Sequence, residues 1–305
     1  MKRANEFDVI ATGSALGAEV RGIDLSKRLS ANQIQELESA WAEHLVLLVR
    51  NQALDDADLV RLTQCFGGPQ ASGRLKSEGI SSTHLGDANS PQRMVSHVSN
   101  LGKQGSGKNL VHTSGSSALR WHSDNSYAEI PPKGTVLWAD TVPGDDSGRT
   151  LFCNMIQAYQ ELPDDTKALI EGKHTKQDSS RNMAGKLLPG WTLPASLNDI
   201  AGAEHPLSQI HPPSGKRALF LGRRIDYPST YITEMPTADG EAVLDLLWSH
   251  ATQEKFVWSH SWQRGDLVLW DNRAVMHCRT PINPERLRFF RRILIKGEPV
   301  VTAWA

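Results

Sequence analysis

The chain has 305 residues, 39% apolar and 22% charged, with 33 basic against 34 acidic side chains and a net charge of −1. That balance removes any global electrostatic case for nucleic acid, and the longest apolar runs, such as Leu45–Val49, are far too short to span a membrane. No apolar segment follows Met1–Glu6, so no signal peptide is read. Three scattered cysteines (Cys65, Cys153 and Cys278) fit no disulfide framework, and a cytoplasmic setting is expected.

Ser30-Ala31-Asn32-Gln33 has the form of a capping box. It opens a helix with Ile34, Leu37, Ala40 and Trp41 on one stripe. Leu45–Val49 then reads as a buried strand. Asp55 or Asp56 caps a second helix, with Leu59, Leu62 and Phe66 inward and Gly67 at its end. The stretch 72–117 is rich in Gly, Ser, Asn and Lys with weak periodicity, and reads as long loops forming a lid segment.

From Trp121 onward short strands recur, at Thr135–Ala139, Thr150–Cys153, Ala218–Leu221, Phe256–Trp262, Asp266–Trp270 and Phe289–Ile295. Helices are expected over Met155–Glu171, interrupted near Pro163, and over Gly240–His250. The segment 176–203 has little pattern and is a second lid candidate. Many short strands with turn signals predict a mainly β fold with flanking helices, a double-stranded β-helix or jelly roll. No repeat, low-complexity tract or linker divides the chain, so residues 1–305 read as a single domain.

Trp121-His122-Ser123-Asp124 is the most informative stretch. On an extended strand residues two apart share a face, so His122 and Asp124 can present an imidazole and a carboxylate to one point. With 11 histidines and 34 acidic residues, chance alone supplies about one His-x-Asp/Glu pair, and this is the one the chain holds. A distant imidazole at His277 would complete a face of two histidines and one carboxylate, the arrangement of non-heme Fe(II) oxygenases. Cys278, beside His277, invites a Cys/His nucleophile. Adjacent strand residues point to opposite faces, so it is read as inert.

Further on, Arg288, Phe290 and Arg292 share one face of a strand, and Phe289 and Arg291 the other. Two guanidiniums on one face of an apolar run call for anions, either bound carboxylates or local acids on an exposed edge. His205 and His211 read as satisfied structural histidines. Trp270 could pack beside a ligand or simply in the core. His112 reads as loop. A zinc hydrolase and a non-catalytic jelly-roll binding module stay open as rivals, but neither accounts for the paired arginines with Thr150.

These pieces, in order, resemble one family. They are Leu16-Gly17-Ala18-Glu19-Val20 with Gly22-Ile23-Asp24-Leu25, Phe66-Gly67, Trp121-His122-Ser123-Asp124, Thr150-Leu151-Phe152, His205-Pro206-Leu207, His211-Pro212 with Gly215-Lys216-Arg217, and Trp270-Asp271-Asn272-Arg273 followed by His277, Arg288 and Arg292. The chain resembles the Fe(II)/2-oxoglutarate dioxygenases of the taurine dioxygenase and 2,4-dichlorophenoxyacetate dioxygenase type, and looks closer to the phenoxyacetate branch.

The resemblance implies Fe(II) held by His122, Asp124 and His277, with 2-oxoglutarate and O2 as cosubstrates. It implies that Thr150 and Arg288 hold the distal carboxylate of 2-oxoglutarate. Arg292, Lys76, Tyr127 and Asn125 would meet a small anionic organic substrate. The implied reaction hydroxylates an aryloxyalkanoate or similar carboxylate, opening a route to ether cleavage, and gives succinate and CO2. A sulfonate or sulfate ester is the alternative substrate. A halogenase would need chloride in place of the carboxylate ligand, and Asp124 argues against it. No membrane or nucleic-acid partner is expected, and a homo-oligomer is compatible with the sequence. Two departures stand out: Asp146-Ser147-Gly148-Arg149 replaces the Gly-Gly-Asp common before the threonine, and the loop from Gly102 to Arg120 differs in content.

Overall fold

The structure is a computed structural model that describes residues 6–70, 94–100, 111–113, 115–182, 185–225 and 229–304. Two antiparallel sheets face one another. The larger contains, in spatial order, the strands Val46–Val49, Leu267–Asp271, Gly134–Thr141, Phe289–Ile295 and Val95–Ser99. The smaller runs Val257–His260, Thr150–Asn154, Val275–Arg279, Leu119–His122. Strands succeeding one another in the chain mostly alternate between the two sheets. This is the jelly roll that the short, turn-bounded strands predict.

Side-chain alternation divides the core. On Gly134–Thr141, Leu137 and Ala139 join Phe152, Trp270 and Phe290 between the sheets. Val136 and Trp138 point the other way and pack with Leu37, Trp41 and Leu59 of two N-terminal helices and with Phe66 just beyond the second. Those helices are Ala31–His44, with the Ser30/Gln33 capping box in place, and Asp56–Gln64, capped by Asp55. Fully burying an aromatic side chain such as Phe66 or Phe152, each at most 1% exposed, contributes roughly 1.5–3 kcal/mol.

The expected helix over Met155–Glu171 is two helices, Met155–Gln160 and Asp164–Ile170, split at Pro163. The helix expected from Gly240 begins three residues earlier and spans Thr237–Ala251, with Pro236 at its start. Two readings of irregular loop need correction. Within 72–117, Val95–Ser99 and Val111–Thr113 are strands that pair with each other, so neither is loop, and the strand covers His112. Residues 176–203 begin in the strand His174–Gln177 and contain a 3-10 turn at Leu197–Asp199. Lys76 lies outside the described residues.

Candidate active site

His277 and His122 are Cα partners on neighbouring antiparallel strands, and their ring centroids are 4.2 Å apart. Directly opposed residues put their side chains on one face, so strand register alone joins two histidines 155 positions apart. Asp124 completes the group, and one donor atom from each of the three lies within 4.8 Å of the others. The strand ends at His122, however, and Asp124 sits in the turn beyond it. Strand alternation therefore does not aim the carboxylate.

Asn272 does. Its Oδ1 accepts from the Asp124 amide at 2.7 Å, and its Nδ2 donates to the carbonyls of Asp124 and Pro132, each at 2.9 Å. The Thr135 hydroxyl donates to Asp124 Oδ2 at 2.7 Å. That leaves Oδ1 facing His122 Nε2 at 4.0 Å. His122 Nδ1 is occupied by the Arg120 carbonyl at 2.8 Å, which fixes the ring and turns Nε2 inward. His277 Nδ1 is buried without a hydrogen-bond partner among the described residues.

The charge states fit a divalent ion. Burial alone favours the neutral acid of Asp124, but the Arg292 guanidinium beside it, the two imidazoles and the Thr135 hydroxyl overcome burial and hold the carboxyl at about 2. Burial lowers His122, against the pull of Asp124. Burial and then the neighbouring His122 lower His277 to about 3. The group is thus two neutral imidazoles and one carboxylate, the protonation state that binds metal. One other set of donors lies this close among the described residues, His174, Glu204 and Glu234. It is largely exposed, and His174 Nδ1 is already 2.6 Å from Glu234 Oε1.

Phe290 and Arg292 share a face of the Phe289–Ile295 strand, whereas Arg288 lies one residue before it and the pairing with Gly134–Thr141 shifts register between Phe289 and Phe290, so strand alternation alone does not place Arg288. Arg292 reaches Asp124 Oδ1 at 3.3 Å, and Arg288 is 3% exposed. Arg291, on the opposite face, pairs with Asp56 at 3.0 Å and Asp140 at 3.1 Å, the ordinary fate of a strand arginine. Arg288 makes no ion pair among the described residues. Its guanidinium lies 3.6 Å from the Phe290 ring centroid, and its Nε has no partner among the described residues. Burial, then the nearby Arg279 guanidinium, hold its proton affinity well below that of an ordinary arginine.

Gly148 makes room for Arg288. A Cβ there would sit 3.3 Å from Arg288 Cδ and 2.9 Å from Ile282 Cγ1, at a φ of +73°. Arg149, the unusual residue of that turn, pairs with Asp146 at 2.9 Å. Thr150 is buried and accepts from Trp262 Nε1 at 2.9 Å.

Tyr127 donates to Asn125 Oδ1 at 3.0 Å, and Arg223 lies 4.8 Å from its ring centroid. Arg223 also forms a backbone bridge with His122. Sequence reasoning missed it, along with Asn272, Thr135 and Trp262 as supports. Trp270 packs 4.7 Å from His277 within the core. His205 bonds the Ala128 carbonyl at 2.8 Å, and His211 lies 3.0 Å from Asp271, so both are satisfied structural residues. Burial pushes the Cys278 thiol up to about 12, in keeping with an inert residue.

Two outcomes are expected. Asn272→Ala leaves the Asp124 amide and two carbonyls buried without partners, and should lower the unfolding free energy by about 3 kcal/mol while abolishing turnover. Urea unfolding and metal titration check this. The metal-free protein should also be acid-sensitive. His277 holds no proton in the fold above about pH 3, whereas the unfolded chain takes one up near 6.5. Stability is therefore full above pH 6.5 and falls as pH drops towards 3, by about 1 kcal/mol per unit from this residue. His277→Leu should flatten that slope in unfolding curves taken at pH 5 and 7.

The Taurine catabolism dioxygenase TauD, TfdA family matches residues 8–294. An alpha-ketoglutarate-dependent 2,4-dichlorophenoxyacetate dioxygenase of Cupriavidus pinatubonensis is 31% identical over 93% of this chain and 96% of its own length. An alpha-ketoglutarate-dependent sulfate ester dioxygenase of Pseudomonas putida is 28% identical over 97% and 91%. The crystal structure of AAD-2 in complex with Mn(II) and N-oxalylglycine superposes with a TM-score of 0.76 at 29% identity, covering 97% of this chain and 99% of that one. No helix among the described residues is long and apolar enough to cross a membrane. With the family match running almost end to end over a jelly roll that gathers two histidines and an aspartate, this chain belongs to the TauD, TfdA family and is an Fe(II)- and 2-oxoglutarate-dependent dioxygenase.

Proposed function

We propose that this enzyme hydroxylates a small anionic organic substrate, an aryloxyalkanoate or similar carboxylate, within one domain spanning residues 1–305. The observation that carries the reading is a pair of arginines, Arg292 beside the His122–Asp124–His277 group and Arg288, one residue before the same strand, buried without a counter-ion among the described residues. His122, Asp124 and His277 hold the iron. Their charge states and the unpartnered His277 Nδ1 support this. Thr150 and Arg288 hold the distal carboxylate of 2-oxoglutarate, and Arg292 receives the substrate anion. Tyr127 and Asn125 line the substrate side, and Lys76 is assigned there from sequence alone.

Bound iron with 2-oxoglutarate supplies the oxidising chemistry, giving succinate and CO2. The protein's own residues bind, orient and shield. Arg292 is paired with Asp124 in the protein alone. An incoming anion competes for that guanidinium, so substrate arrival weakens its hold on the carboxylate. If the hydroxylated carbon carries an ether oxygen, the product breaks down to a carbonyl compound and an alcohol or phenol. A sulfate ester is the second reading. Relatives in Pseudomonas putida and Acinetobacter baylyi are named for sulfate ester and alkylsulfate chemistry, and a guanidinium accepts either anion. The three free cysteines support a reducing, cytoplasmic compartment.

Aryloxyacetates, alkyl sulfates and alkyl sulfonates scored by succinate release should show turnover with the first class above the others, and no succinate from any of them would overturn the reading. His122→Ala and Asp124→Ala should each eliminate substrate-dependent succinate. Arg288→Ala should weaken 2-oxoglutarate by about 2–4 kcal/mol, the cost of a buried carboxylate left unpaired. Arg292→Ala should raise KM for the anionic substrate with 2-oxoglutarate affinity nearly unchanged, and the reverse pattern would exchange the two arginine roles.

A further inference from the structure

The strand that carries His277 also carries an inward-facing cation. Arg279 lies two residues on, so it shares the face of His277. In the same register His277 opposes Phe152 and Arg279 opposes Thr150. The Arg279 side chain and the Thr150 hydroxyl therefore leave the sheet side by side, both at most 4% exposed. Arg288 comes to the same place from the facing sheet, over the bare face of Gly148 in the turn that leads into Thr150. Trp262 closes the group. Its Nε1 donates to Thr150 Oγ1 at 2.9 Å, and its ring centroid lies 5.9 Å from the Arg288 guanidinium. With a Thr150 lone pair engaged by Trp262, the hydroxyl hydrogen is available to donate to an incoming acceptor.

Two guanidiniums at this depth repel one another, and the charge of Arg279 acts directly on Arg288. Arg279 also anchors its surroundings by donating to the Gly115 carbonyl at 3.0 Å and to the Ser117 carbonyl. Both of these bonds come from the same terminal nitrogen of the guanidinium.

We propose that Arg279 is a second cation of the cosubstrate pocket, sharing the distal carboxylate of 2-oxoglutarate with Arg288 and setting a preference for a 2-oxo diacid over 2-oxo monoacids. This rests on the assignment of Thr150 and Arg288 to that carboxylate. A carboxylate seated between the two arginines removes their repulsion and accepts from the Thr150 hydroxyl, so three donors converge on one anion. A 2-oxo acid of the same length without the distal carboxylate gains none of this.

The test is calorimetric binding of 2-oxoglutarate and of 2-oxopentanoate to the Mn(II)-loaded protein without O2. Arg279→Gln keeps a donor for the Gly115 and Ser117 carbonyls but removes the charge. It should weaken 2-oxoglutarate about tenfold or more and change 2-oxopentanoate by less than about threefold. Equal weakening of both ligands would show a merely structural arginine, and unchanged 2-oxoglutarate binding would show no contact; either overturns the proposal. Arg279→Lys, which keeps the charge, should retain most of the diacid preference. Loss of that preference in the lysine variant counts against the proposal even if the glutamine variant does not fold. Failure of the unsubstituted protein to bind 2-oxoglutarate, or indifference of its binding to Arg288→Gln, would remove the underlying assignment instead.

Discussion

The pairing of Val275–Arg279 with both of its neighbours is the constraint on which the site depends. This one strand sets His277 opposite His122 on one side and opposite Phe152 on the other. A slip of one residue would turn His277 to the outer face and bring Cys278 inward, since strand side chains alternate. Burial of Val275 and Met276, each at most 1% exposed, makes such a slip costly. The approach of the two histidines is thus set by hydrophobic register, and the Asn272 amide then brings in Asp124.

Around that strand the protein collects charges that a barrel interior does not ordinarily tolerate. Asp124 survives as a carboxylate because Arg292 and Thr135 reach it. Arg288 has no such relief among the described residues and rests on the Phe290 ring. A buried cation without a counter-charge costs stability, and it is retained where a ligand supplies the missing partner. The Asp271–Arg273–His211 network, by contrast, is complete within the fold: Arg273 Nε meets Asp271 Oδ1 at 2.9 Å, and His211 meets Oδ2 at 3.0 Å. That contrast separates structural ions from those that await something.

Much of this was legible in the chain itself. The Phe289–Ile295 strand has the bounds its alternation predicts, and the Ser30 cap and the break at Pro163 stand where local chemistry puts them. The strand Val95–Ser99 escaped notice because it lacks an apolar face. Ser96 lies opposite Arg292 beside the site, and His97 reaches Asp56 at 3.5 Å on the other side. A strand polar on both faces reads as loop. The aim of Asp124 was inferred for the wrong reason. It comes from the amide of Asn272, 148 positions away, and no local period records such a contact. Arg279 follows the simple rule that links every second residue on a strand, applied one step past His277.

The thiol next to His277 gains a different meaning in an enzyme that consumes O2. Only the thiolate form of cysteine is readily attacked by peroxide, and oxidation beyond the first stage is irreversible. With burial pushing the Cys278 thiol up to about 12, and its side chain on the strand face opposite His277, very little of it carries the vulnerable form at neutral pH. The fold thereby keeps a thiol that adjoins its oxidant source in a poorly reactive state.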